Sequence, residues 1–125
     1  MQNIAFAALP SNIIIVPGIR KFSNTKDIDL KFLQTHKQFQ AINFLQRNRN
    51  WSDGILFIPT SWARTDHTIQ ETIKLINIKT SVVYFDDGYS FGTNMDKSIM
   101  VASNIKGFTG SPIETCIKGI NHLVK

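Results

Sequence analysis

The sequence predicts a single α/β domain, residues 1–125, with a mostly parallel central sheet flanked by helices in a flavodoxin-like or Rossmann-like arrangement. Three observations support this prediction. Residues 53–85 run strand, loop, helix, strand in about 30 residues, which is the βαβ pattern of a parallel sheet. A chain of 125 residues suits one domain with its own core. A hydrophobic content of 42% is ordinary for a globular protein.

The first apolar residues predict one or two strands. Residues 4–9 form a short apolar run, and the β-branched residues 13–16 form another that ends at Pro17-Gly18. Three turn residues separate the two runs. The runs therefore suit either a hairpin, or a sheet in which one of them is the first parallel strand.

Residues 27–47 predict a long helix whose apolar residues lie on two sides. The two sets are Ile28, Phe32, Phe39 and Ile42, and Leu30, Leu33, Phe44 and Leu45. A helix that is apolar on two faces is either enclosed by the fold or shared with another subunit. In a domain this small, the pattern favours a homo-oligomer that associates through this helix.

The centre of the chain gives the clearest element boundaries. The run 54–58 predicts a buried strand that ends at Pro59, and residues 80–85 predict a second one. The spacing of apolar residues between them predicts a helix over 68–77.

The last third of the chain is mixed. Residues 95–103 suit either a strand or a short helix, and residues 106–110 suit a strand fragment or a turn. Ser111 as the N-cap, Pro112 at the first position and Glu114 as the capping-box partner predict a final helix, one face of which packs on the sheet.

The loop from Pro59 to His67 is the first candidate site, because ligands of parallel sheets lie at the carboxyl ends of the strands. Glu71 follows this loop in what the pattern predicts to be the first turn of a helix. The alternative is structural, since Thr68 to Glu71 is itself a capping box that needs the glutamate.

This stretch resembles the nucleoside 2-deoxyribosyltransferase-like family. The residues that carry the resemblance are Asp53, Pro59, Trp62, Thr65, Thr68 and Glu71, followed by the strand at 80–85. The resemblance implies that Glu71 is the nucleophile in transfer or hydrolysis of an N-glycosidic bond, with a nucleoside or nucleotide as ligand.

A second acid would help the base to leave, and Asp66, Asp86 and Asp87 are near enough in sequence. Trp62 would stack on the base, and Pro59, Thr65, Asp86 and Asp87 would complete the substrate-binding residues. The structural alternatives are that Trp62 anchors the loop and that Asp86-Asp87-Gly88 is an ordinary turn.

Two functions from other classes stay open. One is a ligand-binding or protein-binding module without catalysis. The other is a nucleic-acid binder that uses Arg20, Lys21, Arg47, Arg49 and Arg64 with Trp51 and Trp62, since the net charge is +5 and the pI about 9.6.

The remaining chemistry is sparse. Cys116 is the only cysteine, which excludes an internal disulfide and fits a cytoplasmic location. It falls on the apolar face of the final helix, where a buried structural thiol is expected. The three histidines have no zinc spacing, no cofactor motif is present, and no membrane span is predicted.

Overall fold

The computed structural model describes residues 2–8, 22, 27–85 and 95–124. Its strands are β1 (Gln2–Ala8), β2 (Ile28–Gln34), β3 (Gly54–Ile58), β4 (Thr80–Phe85) and β5 (Ile105–Gly110). Its helices are α1 (Gln38–Arg47), α2 (Trp62–Thr65), α3 (His67–Ile76) and α4 (Pro112–Leu123), and a 3₁₀ turn spans Met95–Lys97.

The five strands form one sheet in the order β2-β1-β3-β4-β5, and every pairing is parallel. The predicted α/β class with a parallel sheet is therefore confirmed. β1 pairs with β2 on one side and with β3 on the other, so the first apolar run is a strand of the parallel sheet. The second predicted strand, residues 13–16, lies outside the described residues.

Helices cover both faces of the sheet, as a parallel sheet requires. Side chains of α4 pack on one face, in a core with Phe6, Leu56 and Val83. Helices α1 and α3 pack on the other face, where Ala41, Leu45, Ile69 and Ile73 meet Phe57 and Val82. All five residues of β3 are buried, which explains why its sequence is a continuous apolar run.

The predicted helix over 27–47 is wrong in its first half. Residues 28–34 form edge strand β2, and α1 begins only at Gln38. Ile28 and residues 30 and 32 face the α4 side, where Phe32 lies against Phe6 with ring centroids 4.8 Å apart. The two-sided apolar pattern thus comes from a strand joined to a helix. It no longer argues for a subunit interface, and homo-oligomerisation stays a prediction.

The last third of the chain resolves two open points. Residues 95–103 begin with the 3₁₀ turn and are otherwise irregular, and β5 begins at Ile105. The final helix begins as predicted, with Ser111 at the N-cap and Pro112 in the first turn. Its capping box is incomplete, because the Ser111 hydroxyl donates to Glu114 Oε2 over 3.1 Å and makes no cap bond to the backbone.

Within the described ranges, every helix is too short or too polar to cross a membrane.

Candidate functional site

Three strands end side by side at the carboxyl edge of the sheet. Since β1 lies between β2 and β3, the loops after β2 and β3 flank its end. The strand order reverses between β1 and β3, which is the switch point where ligands bind in doubly wound sheets of this order. The side-chain amide of Gln38 donates through Nε2 to Asp66 Oδ1 over 2.6 Å and so joins the two loops. We call residues 35–38 and 59–67 the carboxyl-edge site.

The loop after β3 is held by its own backbone and by one aromatic contact. The Trp62 amide donates to the Pro59 carbonyl over 3.0 Å, so the chain turns directly into α2. The Trp62 ring stacks on Phe57 at 6.3 Å and 18°, which anchors the loop on the core. Pro59 is buried and Thr65 is exposed, so of these predicted ligand contacts Thr65 and the open part of Trp62 face solvent.

Asp66 is the N-cap of α3 and is only 8% exposed. Its Oδ1 accepts from the Ile69 amide at 3.0 Å as well as from Gln38. The carboxylate therefore stabilises the helix start and links it to α1. The sequence-based alternative, a capping box from Thr68 to Glu71, does not form.

Glu71 lies in the second turn of α3 and is exposed. The first turn of this helix carries no acidic residue, so the predicted first-turn position is wrong. Five residues after the N-cap correspond to about 7 Å along the helix axis, away from the sheet edge. The Glu71 side chain has no hydrogen bond or ion pair with any described residue. Asp86 and Asp87, the other predicted acids, lie outside the described residues.

Two cations and two histidines are exposed in the two loops of the carboxyl-edge site. His36 and Lys37 follow β2, and Arg64 and His67 lie on either side of Asp66 in the chain. None of these side chains pairs with a carboxylate within residues 27–85 and 95–124. The described part of the carboxyl-edge site therefore offers positive charge and polar groups to solvent.

Comparison with solved structures gives close matches over nearly the whole chain. Type II dehydroquinase from Butyrivibrio crossotus is 16% identical, with a TM-score of 0.79 over 98% of this chain and 97% of that one. The Propionibacterium acnes type II dehydroquinase is 10% identical, with a TM-score of 0.80 over 98% of each chain. A 3-dehydroquinate dehydratase-like protein from Bifidobacterium longum is 10% identical, with a TM-score of 0.68 over 98% of each chain. No family model and no curated protein matches the sequence.

The fold is that of the type II dehydroquinases. This finding overturns the resemblance to nucleoside 2-deoxyribosyltransferases and the glycosidic function that it implied. The resemblance was local, and its spacing of Pro59, Trp62 and Glu71 follows from a strand, a one-turn helix and a capped helix. At this level of identity, the dehydroquinase-type likeness establishes the fold alone.

Sequence reasoning missed the residues that follow β2, because they were placed inside a helix. The Thr35 amide donates to the Ala8 carbonyl at 3.1 Å and extends the β1–β2 pairing by one residue. Its hydroxyl oxygen accepts from the Lys37 backbone N–H at 3.0 Å, and the hydroxyl donates to Gln40 Oε1. The signal for this turn was the polar interruption Thr35-His36-Lys37 between two apolar segments.

Two buried groups have raised pKa values, and neither lies in the carboxyl-edge site. Burial raises the pKa of the Cys116 thiol from 9.0 to about 12. Burial also raises the pKa of Tyr84, against the opposing hydrogen bond to Ser98 Oγ at 2.7 Å. Both residues serve as packing groups on either side of β4. No cluster of three His, Cys, Asp or Glu side chains suited to a metal occurs within the residues that the structure describes.

Proposed function

We propose that this protein is a binding module on a dehydroquinase-type fold, which holds a small carboxylate ligand at the carboxyl-edge site without converting it. The proposal rests on the structural role of the Asp66 carboxylate. Its carboxylate is buried and already accepts two hydrogen bonds that organise α3 and α1. A carboxylate engaged in this way is a poor general base, because catalysis needs an acceptor within reach of the substrate proton.

The charges around Asp66 indicate the ligand. Lys37 and Arg64 are exposed cations and lack acidic partners in the described part of the chain. Arginine binds carboxylates through two parallel hydrogen bonds, and the switch point places these side chains beside the ends of the strands. Together they suit a small, polar anion.

A second candidate function is dehydration of 3-dehydroquinate, because one structural neighbour is a 3-dehydroquinate dehydratase-like protein. Dehydration removes a proton and a hydroxyl group, and so needs a base and an acid on the same substrate. The described carboxylates near this edge supply neither, since Asp66 is the cap of α3 and Glu71 lies on its outer surface.

The two functions separate in one experiment. The full-length protein is titrated with 3-dehydroquinate by calorimetry, and loss of water from the same compound is followed by ultraviolet absorbance of the conjugated ketone. The proposal expects binding without turnover. It also expects Arg64→Gln to weaken binding by about tenfold, because a hydrogen bond to a charged group is lost.

Lys74→Gln is the matched control, since Lys74 is an exposed cation in the last turn of α3 and far from the sheet edge. It should leave binding unchanged. Turnover by the wild-type protein would establish the dehydratase instead. A flat titration with no turnover would reject both functions for this compound. The predicted cytoplasmic location remains part of this proposal, because a buried and unreactive Cys116 suits a reducing compartment.

A further inference from the structure

A second candidate site is the cleft between edge strand β2 and helix α1, with a volume of about 480 Å³. Leu33, Gln40, Asn43, Phe44, Arg47 and Asn48 line it. We call it the β2–α1 cleft. Nine residues separate Gln38 from Arg47, so the Arg47 end lies about 13 Å along the helix from the carboxyl-edge site.

The two ends of the cleft differ in chemistry. Since α1 runs antiparallel to β2, Gln40 lies towards the carboxyl end of the strand, as does the apolar Leu33. At the other end Lys31 donates to Asn48 Oδ1 at 3.2 Å, which places its ammonium beside the last turn of α1. Arg47 is in that turn. The cleft thus has one end with Leu33 and Gln40 and a second, cationic end.

The charged residues of the cleft lining and of the segment 30–52 are basic, while Asp29 and Asp53 flank that segment on either side. Residues 30–52 contain Lys31, Lys37, Arg47 and Arg49 but no aspartate or glutamate. Lys31 Nζ also lies 4.4 Å from the centre of the Trp51 ring. Arg47 is exposed and has no hydrogen bond or ion pair to another described residue. A concave surface of one charge sign concentrates ligands of the opposite sign.

Size and lining narrow the class of ligand. Pockets for small organic molecules are about 300–1,000 Å³, so this cleft is far larger than a free phosphate needs. A fatty acid would cover the Asn43 amide, which has no hydrogen bond to a described residue, and covering it without a partner costs free energy. A sugar phosphate would leave Leu33 and Phe44 without apolar contact. A planar ring with polar edges and an attached phosphate meets all of these groups.

We propose that the β2–α1 cleft binds a nucleoside monophosphate. Arg47 and Lys31 bind the phosphate, Leu33 and Phe44 pack against the base, and the Asn43 amide binds its polar edge. No glycosidic chemistry is involved, and the site is independent of the carboxyl-edge ligand.

The test is calorimetry and amide chemical shifts of the full-length protein with adenosine 5′-monophosphate, adenosine and inorganic phosphate as probes. We expect the monophosphate to bind more tightly than either part. Arg47→Gln should weaken it by about tenfold or more, the cost of a hydrogen bond to a charged group. Asn43→Trp, at an exposed helix position, should abolish binding by filling the cleft.

Arg49→Gln is the matched control, because Arg49 carries the same charge, donates to the Gln46 carbonyl at 2.9 Å and does not line the cleft. Its effect should be about twofold at most, as expected for a screened charge. Equal losses in the two arginine variants would overturn the proposal, as would equal affinity for inorganic phosphate or no binding at all. Much tighter binding of a single-stranded oligonucleotide, equally dependent on both arginines, would replace it with an extended nucleic-acid surface.

Discussion

Replacement of Asp66 tests the central contact of the carboxyl-edge site. Asp66→Ala removes the acceptor for the Ile69 amide and for the Gln38 side chain. Loss of an N-cap costs about 0.5–2 kcal/mol of unfolding free energy. The Gln38 bond adds about 1 kcal/mol or less, because Gln38 is exposed and water replaces its partner. We therefore expect a total loss of about 1–3 kcal/mol.

The measurement is urea unfolding followed by circular dichroism, with the unfolding free energy from linear extrapolation. Asp66→Asn is the conservative control, since asparagine is also a good N-cap and should cost less than the alanine variant. Thr68→Ala is the decisive comparison. Thr68 is exposed inside α3, and its substitution should change stability by no more than about 0.5 kcal/mol.

One result would refute this reasoning. If Thr68→Ala were as destabilising as Asp66→Ala, the N-cap would be Thr68, two residues later, and the helix would begin with the capping box from Thr68 to Glu71. The Asp66 carboxylate would then be free to act as a general base, and the proposal of a non-catalytic site would fail.

The remaining predictions concern the α4 face of the sheet. Gly119→Ala should lower the free energy of unfolding measured in urea by about 1–3 kcal/mol, because the alanine Cβ would lie 2.8 Å from Leu56 Cδ1 and 3.2 Å from Ser81 Cβ. Lys118→Ala is the control: Lys118 is the preceding residue and is exposed, so its substitution should be nearly neutral. The pKa of Cys116 is raised from 9.0 to about 12, so on raising the pH the unfolded chain loses the thiol proton before the folded chain does. The free energy of unfolding that the protonated, buried thiol contributes is therefore complete below pH 9 and is lost between pH 9 and 12. Wild type should therefore lose more unfolding free energy than Cys116→Ala between about pH 8 and pH 11, and a parallel pH dependence in both proteins would contradict the burial of the thiol.

The strands at 54–58 and 80–85 could be predicted from the sequence to the residue. Each of these two strands is buried on both faces of the sheet, so its sequence is a mostly apolar run whose ends are marked by polar residues or proline. Edge strand β2 could not, because its residues are only partly covered on either face. Apolar residues at 28, 30, 32 and 33 imitate a two-sided helix when they are joined to α1.

The candidate site was only partly predictable for a related reason. The end of β3 at Ile58 was located correctly, because the end of a buried apolar run is a local property, but the one-turn helix α2 within the predicted loop was missed. The N-cap was not located correctly, because Asp66 and Thr68 are both residue types that cap helices and both precede the apolar residues of α3. Gln38, whose amide bonds Asp66, lies 28 residues earlier in the chain, beyond the reach of any local pattern.

The positions of the tryptophans have a practical consequence. The chain has two, Trp62 stacked on Phe57 and Trp51 beneath the ammonium of Lys31. One indole therefore stands next to each proposed binding region. Intrinsic fluorescence can follow both without an attached dye, and replacing one indole at a time with phenylalanine assigns a change in emission to the sheet edge or to the outer helix.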